Sequence, residues 1–196
     1  MELTRKTILE DEDYLRQISI PVDFNDEKLS EEIEALKDYC LETECFALAA
    51  IQVGIPKRIV CIKQTTEEDS DKEITRDDLK VLINPEIISR KGNTKYWEAC
   101  LSCLDLTGSV NRPYEMLISY QDEEGNYHEK TISGFEATVY SHEFDHLDGI
   151  LHMDIADYVI EMTTEERKEF RQTHPYEIID KDKEYQRPSQ NKRYVR

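Results

Sequence analysis

The sequence predicts a single α+β domain in which antiparallel strands surround a central helix. Three features predict it. Residues 116–120 and 127–132, separated by a turn containing Gly125, read as a β-hairpin. Residues 30–42 carry Ile33, Leu36, Cys40 and Leu41 at helical spacing, behind Ser30 as N-cap and with Glu31 and Glu32 in the first turn. Residues 134–148 read as a second helix, opened by Ser133-Gly134 and ended by Gly149. At 196 residues the chain is long enough for one real core.

In chain order, residues 1–28 form an extended, turn-rich lead-in, with Pro21 and the cluster 23–26 marking turns. After helix 30–42, the small and apolar run Cys45 to Ile51 ends on one amide, Gln52, and lets another group approach the backbone closely. Residues 59–62 are a strand, and 64–79 a charged, solvated insertion. Residues 81–88 form a strand interrupted by Pro85, hence an edge or a bulge, and 91–93 a turn. Thr163 starts a short amphipathic helix reaching about residue 172. Residues 1–175 make up the folded domain. Residues 176–196 are a polar tail expected to be poorly ordered.

Composition narrows the function classes. Charged residues are 35% and hydrophobic residues 38%, with a net charge of −18. That charge argues against DNA, and against an anionic membrane as partner; solubility accounts for it. No apolar run reaches the roughly 18 residues of a membrane-spanning helix. The first residues hold no apolar secretory core, so a cytoplasmic or mature organellar protein is expected, and a monomer. Five cysteines with no secretory signal indicate reduced thiols. Cys100 and Cys103 have C-x-x-C spacing; one is expected to be a ligand and the other structural.

The chemistry centres on His142-Glu143-Phe144-Asp145-His146. Histidines four apart lie one turn apart on one helix face and can hold a metal ion between them. Glu143, beside the first ligand, can reach a water on that ion as general base. In an acid-rich chain such a match can arise by chance. Against chance, Ala137, Val139, Tyr140, Phe144, Ile150 and Leu151 supply apolar flanks, so the helix is half-buried. For a third ligand there are two candidates. Gly149 and His152 complete the H-E-x-x-H-x-x-G-x-x-H spacing of metzincins, but neither Met153 nor Met162 sits in that family's methionine turn. The other candidate is Cys100, in Glu98-Ala99-Cys100-Leu101-Ser102.

Three stretches in this order resemble the peptide deformylase family: residues 45–52 ending on Gln52, residues 98–102, and residues 142–146. The resemblance covers residues 5–156. It implies antiparallel sheets packed around a central metal-binding helix. It implies Cys100, His142 and His146 as metal ligands, Glu143 as base, and the Gln52 amide and Leu101 N–H as oxyanion donors. The implied ion is Fe2+, with Zn2+, Ni2+ or Co2+ able to replace it. The implied substrate is an N-formylmethionyl peptide lying along 45–48, with Phe46, Ala47, Ala99, Phe135 and Val139, and also Ile87, as candidate contacts. Asp145 is either a support behind the ligands or an ordinary helix carboxylate, and Glu98 and Arg112 a candidate buried pair. The family's glycines are replaced here by Cys45, Ala47 and Ala99, which bears on the shape of the groove. An active deformylase is expected, because a binding module has no need of Glu143; a deformylase-like protein of altered substrate range, or one that binds without turnover, is the alternative. Arg187, Lys192, Arg193 and Arg196 make the last ten residues basic, either as a disordered end or as a contact for ribosomal RNA.

Overall fold

A computed structural model describes residues 1–64 and 75–190 of the chain. Helices α1 (Glu12–Leu15) and α2 (Leu29–Glu42) precede strands β1 (Ala47–Ala49), β2 (Ile59–Lys63), β3 (Leu79–Ala99), β4 (Leu106–Arg112), β5 (Glu115–Gln121) and β6 (Tyr127–Ser133). Helix α3 (Phe135–Leu147) follows, then α4 (His152–Ile155), β7 (Tyr158–Glu161), α5 (Thr164–Thr173) and β8 (Glu177–Glu184). Of the insertion expected over 64–79, residues 65–74 lie outside the described residues.

β3 runs for 21 residues and serves two antiparallel groups of strands. Its first part pairs with β2 and β5, its last part with β4 and β8; β1 extends β2, β6 extends β5 and β7 extends β4. The change between the groups falls at residues 91–94, while pairing with β2 ends earlier, just before Asn84-Pro85. Pro85 cannot donate to the ladder, and the register to β5 shifts between Ile83 and Glu86. Asn84 adopts φ 49° there, a left-handed conformation that asparagine tolerates. Its side chain accepts from Val22 N–H at 2.7 Å and donates to Gln121 at 2.9 Å, which ties the lead-in to the bulge.

Side-chain alternation along β2 creates two cores. Ile59 and Cys61 point toward α2, joining Ile33, Leu36 and Cys40. Val60 and Ile62 point the other way, joining Ala137, Tyr140, Phe144 and Leu147 of α3. Each fully buried aliphatic side chain contributes about 1.5–3 kcal/mol. α3 is thereby buried on nearly every side, as expected for a central helix.

Two expectations are corrected. Residues 91–93 are not a turn but part of β3, with Gly92 at φ 71° in a bulge where the β8 register shifts. A Cβ on Gly92 would come within 2.6 Å of Tyr114 and 2.7 Å of Asp180 O, so only glycine fits. Residues 177–184, expected in a poorly ordered tail, form β8. Cross-strand pairs Lys95↔Glu177 and Lys91↔Glu184 set opposite charges face to face along the otherwise unpaired side of β3.

The end of α3 is fixed by a Schellman motif: Ile150 N–H donates to Asp145 O and Gly149 N–H to His146 O. Gly149 takes φ 70°, and a Cβ there would overlap the Arg16 carbonyl. Gly149→Ala combines left-handed strain with that overlap and is expected to cost at least about 2 kcal/mol of unfolding free energy, read as a lowered urea midpoint at constant m.

Candidate metal centre and catalytic cleft

α3 turns its third side to a cleft of about 940 Å³. Cys100 approaches from the end of β3, and His142 and His146 from α3. Cys100 Sγ and His146 Nε2 are 3.2 Å apart, and the two histidine Nε2 atoms 3.2 Å apart. All three donor atoms lie within 4.8 Å of one another. Tetrahedral ligation with Zn–N and Zn–S bonds of about 2.0–2.3 Å sets donors roughly 3.3–3.6 Å apart, so the three groups fit one divalent ion. Cys100 and His146 are buried and His142 half-buried.

The tautomer of His142 follows from its surroundings. Its Nδ1 lies 2.8 Å from Glu98 Oε2. Burial works against a charged Glu98, but the Arg112 guanidinium outweighs it and holds the carboxyl far below its usual range. An ionised carboxylate only accepts, so Nδ1 of His142 carries a proton and Nε2 is the nitrogen that faces the cation position. Arg112 grips Glu98 through two bonds, at 2.7 and 2.9 Å. It also binds Asp145, which Arg187 contacts from the other side. Asp145 therefore supports the ligands from behind through Arg112, and is no ordinary surface carboxylate. Arg187, assigned by sequence to a free basic end, is held on it.

Gln52 ends the β1 segment in a short helical turn. Its Oε1 accepts Ala49 N–H at 2.9 Å, which points Nε2 at Cys100 Sγ (3.4 Å) and Ser102 Oγ (3.2 Å). Glu143 is buried at 5% exposure, and its Oε2 has no hydrogen-bond partner among the described residues. Burial raises its pKa, partly offset by His142 and His146. A buried carboxyl of raised pKa beside three convergent ligands is suited to shuttle a proton.

The structure brings Phe46, Ala47, Gln52, Ala99, Cys100, Leu101, Phe135, Val139, His142 and Glu143 onto this one cleft. It leaves Ile87 out, because β3 runs on beyond Ile87 before it reaches the cleft. The His152 ring lies 5.7 Å from that of His142, but its ligand atoms group with Cys100 and Cys103 and not with both helix histidines. After Gly149 the chain turns into α4, which packs on β4 and sets the His152 ring against Gly108, so the metzincin ligand set is not formed. The three replaced glycines raise no backbone strain: among the described non-glycine residues only Glu44, Asn84 and Leu104 have positive φ. Sequence reasoning missed Arg5, Tyr96, Arg167 and Arg171 on the cleft wall. The i, i+4 spacing of Arg167 and Arg171 on one helix face was the available signal.

Comparison with known proteins places this arrangement among relatives. Residues 5–160 match the family model described as polypeptide deformylase. The peptide deformylase of Rhizorhabdus wittichii is 38% identical over 141 residues, covering 71% of this chain and 79% of the relative. A probable peptide deformylase from Synechococcus phage S-SSM7 superposes with TM-score 0.68 at 34% identity, covering 78% of this chain and 99% of that one. The peptide deformylase of Synechococcus elongatus, solved with actinonin, gives TM-score 0.69 at 29% identity, covering 88% and 87%.

The two cysteines should separate on metal analysis. Cys100→Ser is expected to lose tight metal binding, because it removes the only thiolate of the set, while Cys103→Ser retains close to one metal per chain after desalting. Elemental analysis of both proteins checks this; equal loss would make the C-x-x-C pair one ligand unit.

Proposed function

The chain belongs to the polypeptide deformylase family, and from that membership we propose how its own residues carry the reaction. It is a metallohydrolase that removes the N-formyl group from N-formylmethionyl peptides and releases formate. The observation that carries the residue assignment is the buried Glu143 carboxyl beside the converged Cys100, His142 and His146 at the cleft.

Cys100, His142 and His146 would hold a divalent ion, which would supply Lewis-acid chemistry there. Glu143 accepts the proton of the attacking water as its oxygen bonds to the formyl carbon. The charge that develops on the carbonyl oxygen receives a hydrogen bond from Gln52 Nε2, whose direction is set by its bond to Ala49, and from Leu101 N–H. Each such donor is typically worth about 3–4 kcal/mol in the transition state. Glu143 then delivers its proton to the amine nitrogen as the C–N bond breaks, giving formate and a free methionyl amine. Burial raises the pKa of Glu143, which makes its carboxylate a stronger base toward the water proton. Phe46, Ala47 and Ala99 would flank the peptide backbone, and Phe135 and Val139 the methionine side chain.

The ion is read as Fe2+, with Zn2+, Ni2+ or Co2+ competent in its place; one thiolate and two imidazoles suit all four. The chain is read as a monomer of the cytoplasm or an organelle. No helix among the described residues is long and apolar enough to cross a membrane. A ribosome contact through the basic end would rest on Lys192, Arg193 and Arg196, since Arg187 is engaged by Asp145.

Formate release from formyl-Met-Ala-Ser under anaerobic conditions with ferrous iron tests the activity. Glu143→Gln should retain its metal while kcat falls about 10²–10⁴-fold; a wild-type kcat in that variant removes Glu143 from the mechanism.

A further inference from the structure

The wall of the cleft includes a helix that the matched family segment does not contain. That segment ends at residue 160, and α5 begins at Thr164. α5 nevertheless contributes Thr164, Arg167 and Arg171 to the cleft lining. It is fastened there. Thr163 caps its first turn with Glu166 in a capping box. Phe170 packs edge-on to Trp97 at 4.9 Å. Arg171 donates to Trp97 O at 3.0 Å and lies over the Tyr96 ring at 4.7 Å.

Its two arginines, like Arg5 and Arg90, have no ion pair with a carboxylate among the described residues, unlike the other five described arginines. The protein carries 43 acidic and 25 basic residues, so carboxylates are abundant. Arg16, Arg58, Arg76, Arg112 and Arg187 each bind at least one. Among the described residues, Arg167 and Arg171 bind none: Arg167 contacts only the Thr107 and Thr164 hydroxyls, and Arg171 only a carbonyl and a ring. Both are half-buried. Burial lowers the pKa of Arg171, and the like charge of Arg167 adds to that. Arg5, on the same cleft, is likewise engaged only by a carbonyl, that of Leu101. The cleft carboxylates form no ion pair with Arg167 or Arg171, although Glu98 is close enough to favour the charged form of Arg171. Glu98 is taken by Arg112, Glu143 is the catalytic acid–base, and Glu44 and Asp105 make no ion pair with either arginine. Two neighbouring guanidiniums facing a cleft without a counter-ion form a carboxylate-binding fork.

We propose that Arg167 and Arg171 form a subsite for a carboxylate on the peptide downstream of formylmethionine, so that this enzyme favours nascent chains with an acidic residue shortly after the first. The inference rests on the deformylase reading of the cleft. α5 supplies the positive wall, docked on β3 through Trp97.

The test compares formyl-Met-Glu-Ala-amide and formyl-Met-Ala-Glu-amide with their glutamine counterparts on the metal-loaded full chain. Amidated ends remove the competing terminal carboxylate. At low salt, kcat/KM for glutamate over glutamine should be about fivefold at one of the two positions, and should shrink toward one as salt rises. Arg167→Gln should bring that ratio near one, and Arg167→Lys should restore part of it. A ratio of one at both positions in the wild-type protein, or a ratio that survives Arg167→Gln, overturns the subsite. Turnover of the glutamine peptides reports separately on the deformylase reading. The same glutamate/glutamine ratio read as Kd by calorimetry with the Glu143→Gln protein decides the subsite even without turnover.

Discussion

The buried pair of Glu98 and Arg112 is the interaction on which the site depends. Arg112 is almost fully buried, and such a charge is costly unless every donor is met. It is met by Glu98 through two hydrogen bonds and by Asp145. These partners come from three elements: Glu98 from β3, Arg112 from β4 and Asp145 from α3. The pair therefore sets the distance between the sheet that brings Cys100 and the helix that brings the histidines. Replacing one partner would leave the others charged and unmatched, which is why the three act as a unit.

From this pair the geometry passes to the chemistry by short steps. Glu98 lies 2.8 Å from His142 Nδ1, which leaves Nε2 facing Nε2 of His146. Cys100 follows Glu98 by two residues and leaves the strand into a helical turn that carries Leu101. Asp145 lies between Glu143 and His146 on a helix whose last turn is closed by Gly149. Gln52 arrives from the opposite side, oriented by one backbone N–H. Each of these groups stands in, or at the end of, a strand, helix or helical turn, an arrangement suited to holding donors in place.

The replaced glycines take on a different meaning in three dimensions. Glycine in a peptide-binding strand can serve either a left-handed angle or a close approach. Here Cys45, Ala47 and Ala99 stand in ordinary backbone, so their side chains alter only the width and lining of the cleft. The cleft of this chain is thus lined by side chains at Cys45, Ala47 and Ala99, and by an α5 wall that lies beyond the segment matched by the family model.

Much of the site was legible in the sequence because its signals are local. Histidines four apart on a helix, a glutamate between them, and the residue types around Cys100 and Gln52 are read along the chain. So are the hairpin, α2, α3 and the Thr163 cap, although α2 starts at Leu29 behind Lys28 and Ser30 lies inside it, not at its N-cap. What the sequence left open depended on partners distant along the chain. Residues 91–93 look like a turn, and become a bulge because Tyr114 and β8 press against Gly92. Residues 177–184 look too polar to order, and become a strand because β3 offers an unpaired side with matching charges. His152 has metzincin spacing, and turns to Cys103 because α4 packs on β4. Arg187 looks like part of a free basic end, and is held by a carboxylate 42 positions away. The sequence determined which groups can do the chemistry; long-range packing and charge pairing alone decided which of them meet.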